Sequence, residues 1–312
     1  MLIFGTGFGV AITGKNLEAV VVRSRPSGPI RLAATTIRDF RTRPAAEWGS
    51  DLTRFLESVR EHHLAATVLV PRDEVIVRTV HLPGVADRDV AGAIELQIDT
   101  LHPFGDEEVA WAWMNVGSGH YAVGIVRKAL LSSYETLFTE AGIPVAAFSF
   151  SSSAIHTALR IWSAAPASLL VLCTPDGRTE IYGESESRPF YSAEYPTSAE
   201  RALALSRGEL RLEQQSAAQS LAEALPQAAG LKEGYSALAY AAALVDSVPL
   251  MARFANLLPK DRRASSTRRQ YWLPGILGSL LLAGLVAVFV VMPAMEQRSY
   301  LKALNAEIHK LE

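Results

Sequence analysis

From Trp272 to Met292 the chain runs for 21 residues without a charged side chain, WLPGILGSLLLAGLVAVFVVM. As a helix this stretch would be roughly 31 Å long, which matches the hydrocarbon thickness of a bilayer. Pro274 and Gly275 fall near its start, where a helix tolerates them, and Tyr271 with Trp272 suit the interfacial aromatic belt. A buried core helix of this length would carry polar residues along one face, and only Ser279 interrupts the apolar surface. The stretch predicts one transmembrane helix over residues 272–292.

The flanks give it a direction. Residues 256–271 carry Lys260, Arg262, Arg263, Arg268 and Arg269 against Asp261, a local charge of plus four, whereas Arg298 and Lys302 follow the span more sparsely. The denser basic side is the cytoplasmic one. The whole chain has a formal charge of −2, so the remainder is acidic and the basic collar is local. That balance excludes a generally basic nucleic-acid binder. The first residues, MLIFGTGFGVAITG, lack the basic start of a signal peptide. Residues 1–255 are therefore expected as a cytoplasmic body. Beyond the membrane, residues 293–312 place Leu301, Leu304, Ile308 and Leu311 at alternating steps of three and four, a short heptad seam. Two heptads are marginal alone, and the pattern breaks off at Glu312, so continuation in a longer chain or a partner helix is expected.

The body alternates strand-like and helix-like stretches. Leu2 to Ile12 and Leu17 to Val22 read as strands around Thr13-Gly14-Lys15-Asn16, with a third at Ile30 to Ile37 and a helix from about Ala45 to His63. Val68 to Pro71 and Val75 to Val80 read as strands joined by Arg72-Asp73-Glu74, and Val90, Ile94, Ile98 and Leu101 as one face of a helix stopped at Pro103. A hairpin is expected around Gly117-Ser118-Gly119, and a helix through Leu130, Tyr134, Leu137 and Phe138 that closes on Gly142. Strands at Ser168 to Thr174, Arg178 to Gly183 and Pro189 to Ala193 precede alanine-rich helices at Ser198 to Leu212 and Tyr235 to Val245. Strands before helices in both halves predict an α/β body of two related lobes.

The stretches VLVPRDEVIVRTVHLPG and IELQIDTLHPFGDEEVAWAW, then the hairpin and the helix ending in EAGIPV, resemble PilM-type pilus-assembly proteins, which are actin-like and related to FtsA. They also resemble GspL-type proteins of type II secretion. Asn256-Leu257-Leu258-Pro259, followed by a basic run, a span and a heptad segment, is similar to the start of PilN-type proteins, where this motif docks on the actin-like partner. The resemblance implies a degenerate actin-like (ribonuclease H-like) body over 1–255. An inserted α/β subdomain is expected at about 84–150, then the NLLP motif and basic linker at 256–271. It further implies that Asn256, Leu257, Leu258 and Pro259 dock on a partner or on the chain's own body.

Actin-like folds bind nucleotide between two lobes, with glycine-rich hairpins at the phosphates and a carboxylate near the metal. In FGVAITGKNLEAVVV the position implied for the first carboxylate holds Ala11, and in LLVLCTPDGRTEIYG the second holds Leu172. Asp176 lies in a turn it caps, and before the alanine-rich helix only Gly230 and Gly234 occur. Hydrolysis is not expected, and no cofactor is; Gly14 and Lys15 are the candidate residual anion contacts, through which ATP binding without turnover stays open.

Other constellations point to packing. Gly5-Thr6-Gly7-Phe8-Gly9 lacks the spacing of a dinucleotide fingerprint and reads as a flexible hairpin. Gly117-Ser118-Gly119-His120 lacks the flanks of a nucleophile elbow. His62 and His63 diverge on a helix, His81, His102 and His156 stand isolated in sequence, and Cys173 reads as core. No metal site is expected.

The expected function is a non-catalytic, single-pass scaffold of a bacterial inner-membrane type IV pilus or type II secretion platform. Its body would be cytoplasmic and its C-terminus periplasmic. Its partners would be other platform proteins and the lipid bilayer, in a homo- or hetero-oligomer, with no nucleic acid. The alternatives are an actin-like ATPase of the same machinery and a membrane-anchored regulator unrelated to secretion.

Overall fold

The computed structural model describes residues 5–162, 168–173, 178–226, 235–248, 254–264, 272–286, 288–289 and 292–311. The chain opens with β1 (Gly5–Thr13), β2 (Asn16–Arg25) and β3 (Gly28–Ile37), followed by α1 (Ala45–Ser58) and β4 (Ala66–Val70). Then come β5 (Ile76–His81), the short helices α2 (Val90–Glu95) and α3 (Ile98–Leu101), β6 (Val109–Gly117), β7 (His120–Arg127) and α4 (Lys128–Glu140). β8 (Val145–Phe150) leads directly into α5 (Ser151–Ala158). The later part holds β9 (Leu169–Cys173), β10 (Thr179–Glu184), β11 (Tyr191–Tyr195), α6 (Ala199–Leu210), β12 (Gln219–Ser220), α7 (Leu221–Ala224) and α8 (Ala237–Asp246). α9 (Trp272–Val286) and α10 (Met292–Leu311) end the chain.

Among the described residues three sheets form: a five-stranded one in the order β3-β2-β1-β4-β8, a four-stranded one in the order β11-β10-β9-β12, and a three-stranded one in the order β5-β7-β6. The first two define two lobes, and the third forms a small unit with α2 and α3. β1 pairs antiparallel with β2 but parallel with β4, which in turn pairs parallel with β8. β1 and β4 are buried at every position, as strands covered on both faces must be.

One local reading gains its context and two are corrected. The two strands joined by Arg72-Asp73-Glu74 are both present but lie in different sheets, β4 in the five-stranded one and β5 in the small one, because a 3-10 turn after Pro71 carries the chain from one to the other. The helix expected through Leu101 breaks into α2 and α3, and Leu96 at the break is 90% exposed. The glycine-rich start is not a flexible hairpin. Gly5, Gly7 and Gly9 alternate along the central strand β1 and face the backbone of α8. A Cβ on Gly9 would lie 2.2 Å from the Ala239 carbonyl oxygen and 2.3 Å from the Ala243 nitrogen. The alanines of α8 answer the glycines of β1, and helix and strand approach at backbone distance.

The same contact buries Asp246 at the end of α8. Its carboxylate accepts the Phe8 N–H at 2.9 Å and the Thr67 hydroxyl at 3.0 Å. Complete burial outweighs these two donors and pushes its pKa up to about 7.

Residues 1–264 and 265–312 are two separate compact units. In the second, Ile276, Leu277, Leu280, Leu281, Leu282 and Leu285 of α9 are all exposed. Among the described residues no helix is both long and apolar enough to cross a membrane. α9 has 15 residues, about 22 Å of rise, and the expected span over 272–292 includes residues 287, 290 and 291, which lie outside the described residues. The heptad residues all fall on α10: Leu301 and Leu304 are exposed, and Ile308 and Leu311 lie in its last turns.

Gly9→Val should destabilise the body by about 3 kcal/mol or more, read by urea unfolding, because the clash is with backbone that cannot turn away. Asp246 has a raised folded pKa, so its contribution is complete below about pH 4 and is lost as the pH rises through about 7. Asp246→Asn should therefore gain in stability relative to the parent between those limits. Parallel pH-unfolding curves would refute the assignment.

Candidate functional site

Among the described residues, two places in the body bear on nucleotide binding and on docking. The first is a cleft of about 250 Å³ between the lobes, lined by the β1–β2 turn, the β4–β5 loop, the start of α5, β10 and β11. The turn is a two-residue hairpin whose first position needs a positive φ, and Gly14 supplies it at 54°. Gly14 lines the cleft; Lys15 is exposed and does not line it. Ala11 contributes only an apolar wall, and Leu172 lies away from the cleft, beside Ser220 and Tyr235. Asp176, Gly230 and Gly234 lie outside the described residues.

The charges of the cleft come from residues the sequence did not single out. Arg178 reaches Asp73 at 2.6 Å and Glu194 at 3.2 Å. Arg72 crosses the other way: its Nε donates to Ser192 Oγ at 3.3 Å, its Nη2 to the Ser192 carbonyl at 3.3 Å, and Glu180 lies 3.7 Å away. Arg41 pairs with Glu74 at 3.4 Å and donates to Tyr134 Oη at 2.7 Å, which donates in turn to Glu74. Each of the three arginines that line the cleft thus already has a carboxylate partner, and the carboxylates number four. Glu180 is 1% exposed and accepts a hydrogen bond from Ser151 at the start of α5. A helix N-terminus receives anions, and here the chain's own carboxylate takes that place. Burial raises the Glu180 pKa, opposed by Arg72 and the Ser151 hydroxyl. A triphosphate entering this cleft would meet carboxylates and no unpaired cation among the lining residues. The ion pairs tie lobe to lobe instead.

The second place is the free edge of β8. Residues 254–264 run along it: Leu257 N–H donates to the Phe148 carbonyl at 2.8 Å and Ala264 N–H to the Val145 carbonyl at 2.9 Å. Asn256 sends its side-chain amide to the Ala146 carbonyl at 3.2 Å and accepts the Leu258 N–H at 3.0 Å, which fixes a local turn. Ser149 Oγ donates to the Ala255 carbonyl at 2.7 Å, and Ala255 N–H to Ser153 Oγ at 2.9 Å. Leu257 and Leu258 are 4% and 3% exposed and belong to the main core. Pro259 starts a single 3-10 turn, Lys260–Arg262. Arg263 clasps the Leu258 carbonyl through Nε at 2.9 Å and Nη2 at 2.7 Å, and Arg262 pairs with Glu135 of α4 at 3.0 Å. Desolvation lowers the Arg263 pKa. An open groove of about 530 Å³ remains between this segment and Glu135, Thr139, Ile143 and Phe148.

The histidines read as isolated acquire partners. His156 Nδ1 lies 2.8 Å from Tyr182 Oη, in a buried group with Glu184 and Arg160. Burial lowers the His156 pKa, while hydrogen bonds from His156, Arg160 and Tyr182 outweigh burial at Glu184 and hold it at about 2. His102 stacks on Phe104, and His81 on His120. Cys173 is buried, and burial raises its pKa well above the usual thiol range. Among the described residues no three metal-ligating side chains come together.

No family profile and no curated protein sequence matches this chain. Solved structures do. The cytoplasmic domain of EpsL, an inner-membrane component of the type II secretion system of Vibrio cholerae, aligns at 15% identity with a TM-score of 0.50, covering 83% of this chain and all of that one. The fold is shared. A PilM-PilN type IV pilus biogenesis complex aligns at 16% identity and a TM-score of 0.49, covering 66% of each chain, slightly under two thirds of that structure's length. A Bacteroides thetaiotaomicron protein with an actin-like ATPase fold aligns at 12% identity and a TM-score of 0.38, over 67% of this chain and 78% of that one. The EpsL alignment supports the resemblance drawn from the sequence at the level of fold alone, a two-lobed α/β body.

The cleft geometry predicts that Mg²⁺-ATP leaves the thermal midpoint of the full chain unchanged. Asp73→Arg or Arg178→Asp should each lower the midpoint by a few degrees, and the double exchange should recover part of the loss. A shift of several degrees with Mg²⁺-ATP alone would refute the closed-cleft reading.

Proposed function

We propose that this protein is a non-catalytic, single-pass inner-membrane scaffold of a bacterial type IV pilus or type II secretion platform, linking cytoplasmic and periplasmic partners. The observation that carries the proposal is the segment Asn256-Leu257-Leu258-Pro259 seated on the β8 edge, because it joins the body to the chain that leads toward the apolar helix. Its position favours docking on the chain's own body, with the body spanning residues 1–255 and a linker of 256–271.

The supporting physics is local. Two leucines leaving water contribute about 1.5–3 kcal/mol each, and the backbone bonds cover an edge that would otherwise template pairing with another chain. Because the segment is tethered, its effective concentration at the groove is high, and a neighbouring copy or a platform partner competes with it for the same edge. The uncharged run over 272–292 is the anchor in the lipid bilayer, oriented by the basic collar so that the body is cytoplasmic and the C-terminus periplasmic. An α9 that is apolar and exposed all round supports this reading, since such a surface needs a nonaqueous surrounding. The seam of Leu301, Leu304, Ile308 and Leu311 is the contact for partner helices. The paired arginines of the cleft support a body without nucleotide turnover and without a cofactor.

Leu257→Asp with Leu258→Asp should release the segment. Hydrogen exchange at residues 145–150 should rise at least about tenfold, protease should cut near Arg262 and Arg263, and recovery of other platform proteins with the full chain should fall. Unchanged exchange and unchanged recovery together would dismiss the docking role.

A further inference from the structure

β5 and β7 end side by side, and their register sets His81 directly opposite His120. The Leu82 N–H donates to the Gly119 carbonyl at 2.8 Å, one residue beyond the pair on each strand. That flanking bond makes His81 and His120 a non-hydrogen-bonded pair, the closer of the two antiparallel arrangements, with Cα atoms about 4.5 Å apart. Both imidazoles therefore stand on one face, stacked with centroids 4.2 Å apart and planes 15° from parallel. His81 is exposed and His120 half-buried.

One ring is also fixed in its proton placement. His120 Nδ1 lies 3.1 Å from the Ser118 carbonyl oxygen. A carbonyl only accepts, so Nδ1 is the protonated nitrogen, and in the neutral ring Nε2 keeps its lone pair. The turn that aims the carbonyl is built for it: Gly117, Ser118 and Gly119 all have positive φ, at 100°, 51° and 71°. Holding an imidazole by Nδ1–H on a backbone carbonyl while Nε2 stays bare is the arrangement that metal-ligating histidines use. Behind the other strand, Pro83 follows closely and packs against Gly119, so the two strand ends are braced against one another.

We propose that His81 and His120 form a chelating site for a late first-row divalent ion, of which Zn²⁺ is the physiological form to test. Tetrahedral zinc with Zn–N of about 2.0–2.1 Å sets its ligating nitrogens about 3.3 Å apart; in the stacked pose the in-plane lone pairs run nearly parallel, so on binding the exposed His81 ring turns about its side-chain bonds to aim a nitrogen at the ion held by His120 Nε2. Because no third protein ligand is gathered there among the described residues, water completes the coordination. Two imidazoles select nitrogen-seeking ions such as Zn²⁺, Ni²⁺ and Cu²⁺ over Mg²⁺ and Ca²⁺. The site stands at the end of the small three-stranded sheet, and ion binding there would pin the β6–β7 turn to the end of β5. It is independent of the scaffold role.

The test is calorimetric titration of the detergent-solubilised full chain with ZnCl₂, with CuCl₂ followed by electron paramagnetic resonance. One ion per chain is expected, with copper showing coupling to two nitrogens. His81→Ala and His120→Ala should each weaken Zn²⁺ at least about tenfold. His62→Ala with His63→Ala should leave it unchanged, and MgCl₂ should give no heat. The proposal is overturned if either single variant titrates like the parent, or if copper couples to one nitrogen only. His81→Asn, which keeps an exposed polar group in the strand, serves as a second variant should the alanine change perturb folding.

Discussion

The approach of α8 to β1 is the contact on which the rest of the body rests. α8 comes from the end of the body's sequence and β1 from its beginning, so the chain closes on itself through a surface with no side chains at three alternate positions. Gly5, Gly7 and Gly9 supply the flat strand, and the alanines of α8 supply a helix thin enough to lie on it. Everything downstream inherits that geometry. β1 carries the turn that walls the cleft, β4 registers on β1 and β8 on β4, and the edge of β8 receives residues 254–264. Asp246 is buried by the same closeness, and its raised pKa ties the stability of the joint to pH.

Much of this order was legible in the residues. Alternating apolar patterns located β1 to β3, the hairpin of β6 and β7, and α4 with its stop at Gly142, because local turn chemistry decides those elements. Long-range pairing decided the others. β4 and β5 are adjacent in sequence and similar in composition, yet β4 is drawn between β1 and β8, and no local signal announces that partition. The glycines of β1 looked like flexibility because their partner lies more than 230 residues away.

The candidate sites divide the same way. The NLLP motif was readable as a motif, and its place follows from backbone groups on β8 that need partners. In the cleft, Gly14 is a lining residue that the turn pattern makes visible, whereas the charges around it come from Arg72, Asp73, Arg178 and Glu180. Arg178 and Asp73 are 105 residues apart and meet only once the lobes are assembled. The Arg72-Asp73-Glu74 run between two strands was a visible hint, since three charges in a short crossing need somewhere to go. His81 and His120 were isolated in sequence for the same reason, and the sheet register made them neighbours.

The way residues 254–264 lie along β8 also has a mechanical meaning. As the segment number rises from Leu257 to Ala264, its partners on β8 fall from Phe148 to Val145, so the two run antiparallel. Any pull arriving from residue 265 is felt first by the Ala264–Val145 bond, then by the Arg262–Glu135 ion pair, and last by the Leu257–Phe148 bond and the buried leucines. A pull across the strands peels these attachments one at a time. A pull along them loads all of them together. The body thus has a direction-dependent strength at the point where its tether leaves, with its weakest links outermost and its core residues as the final stop.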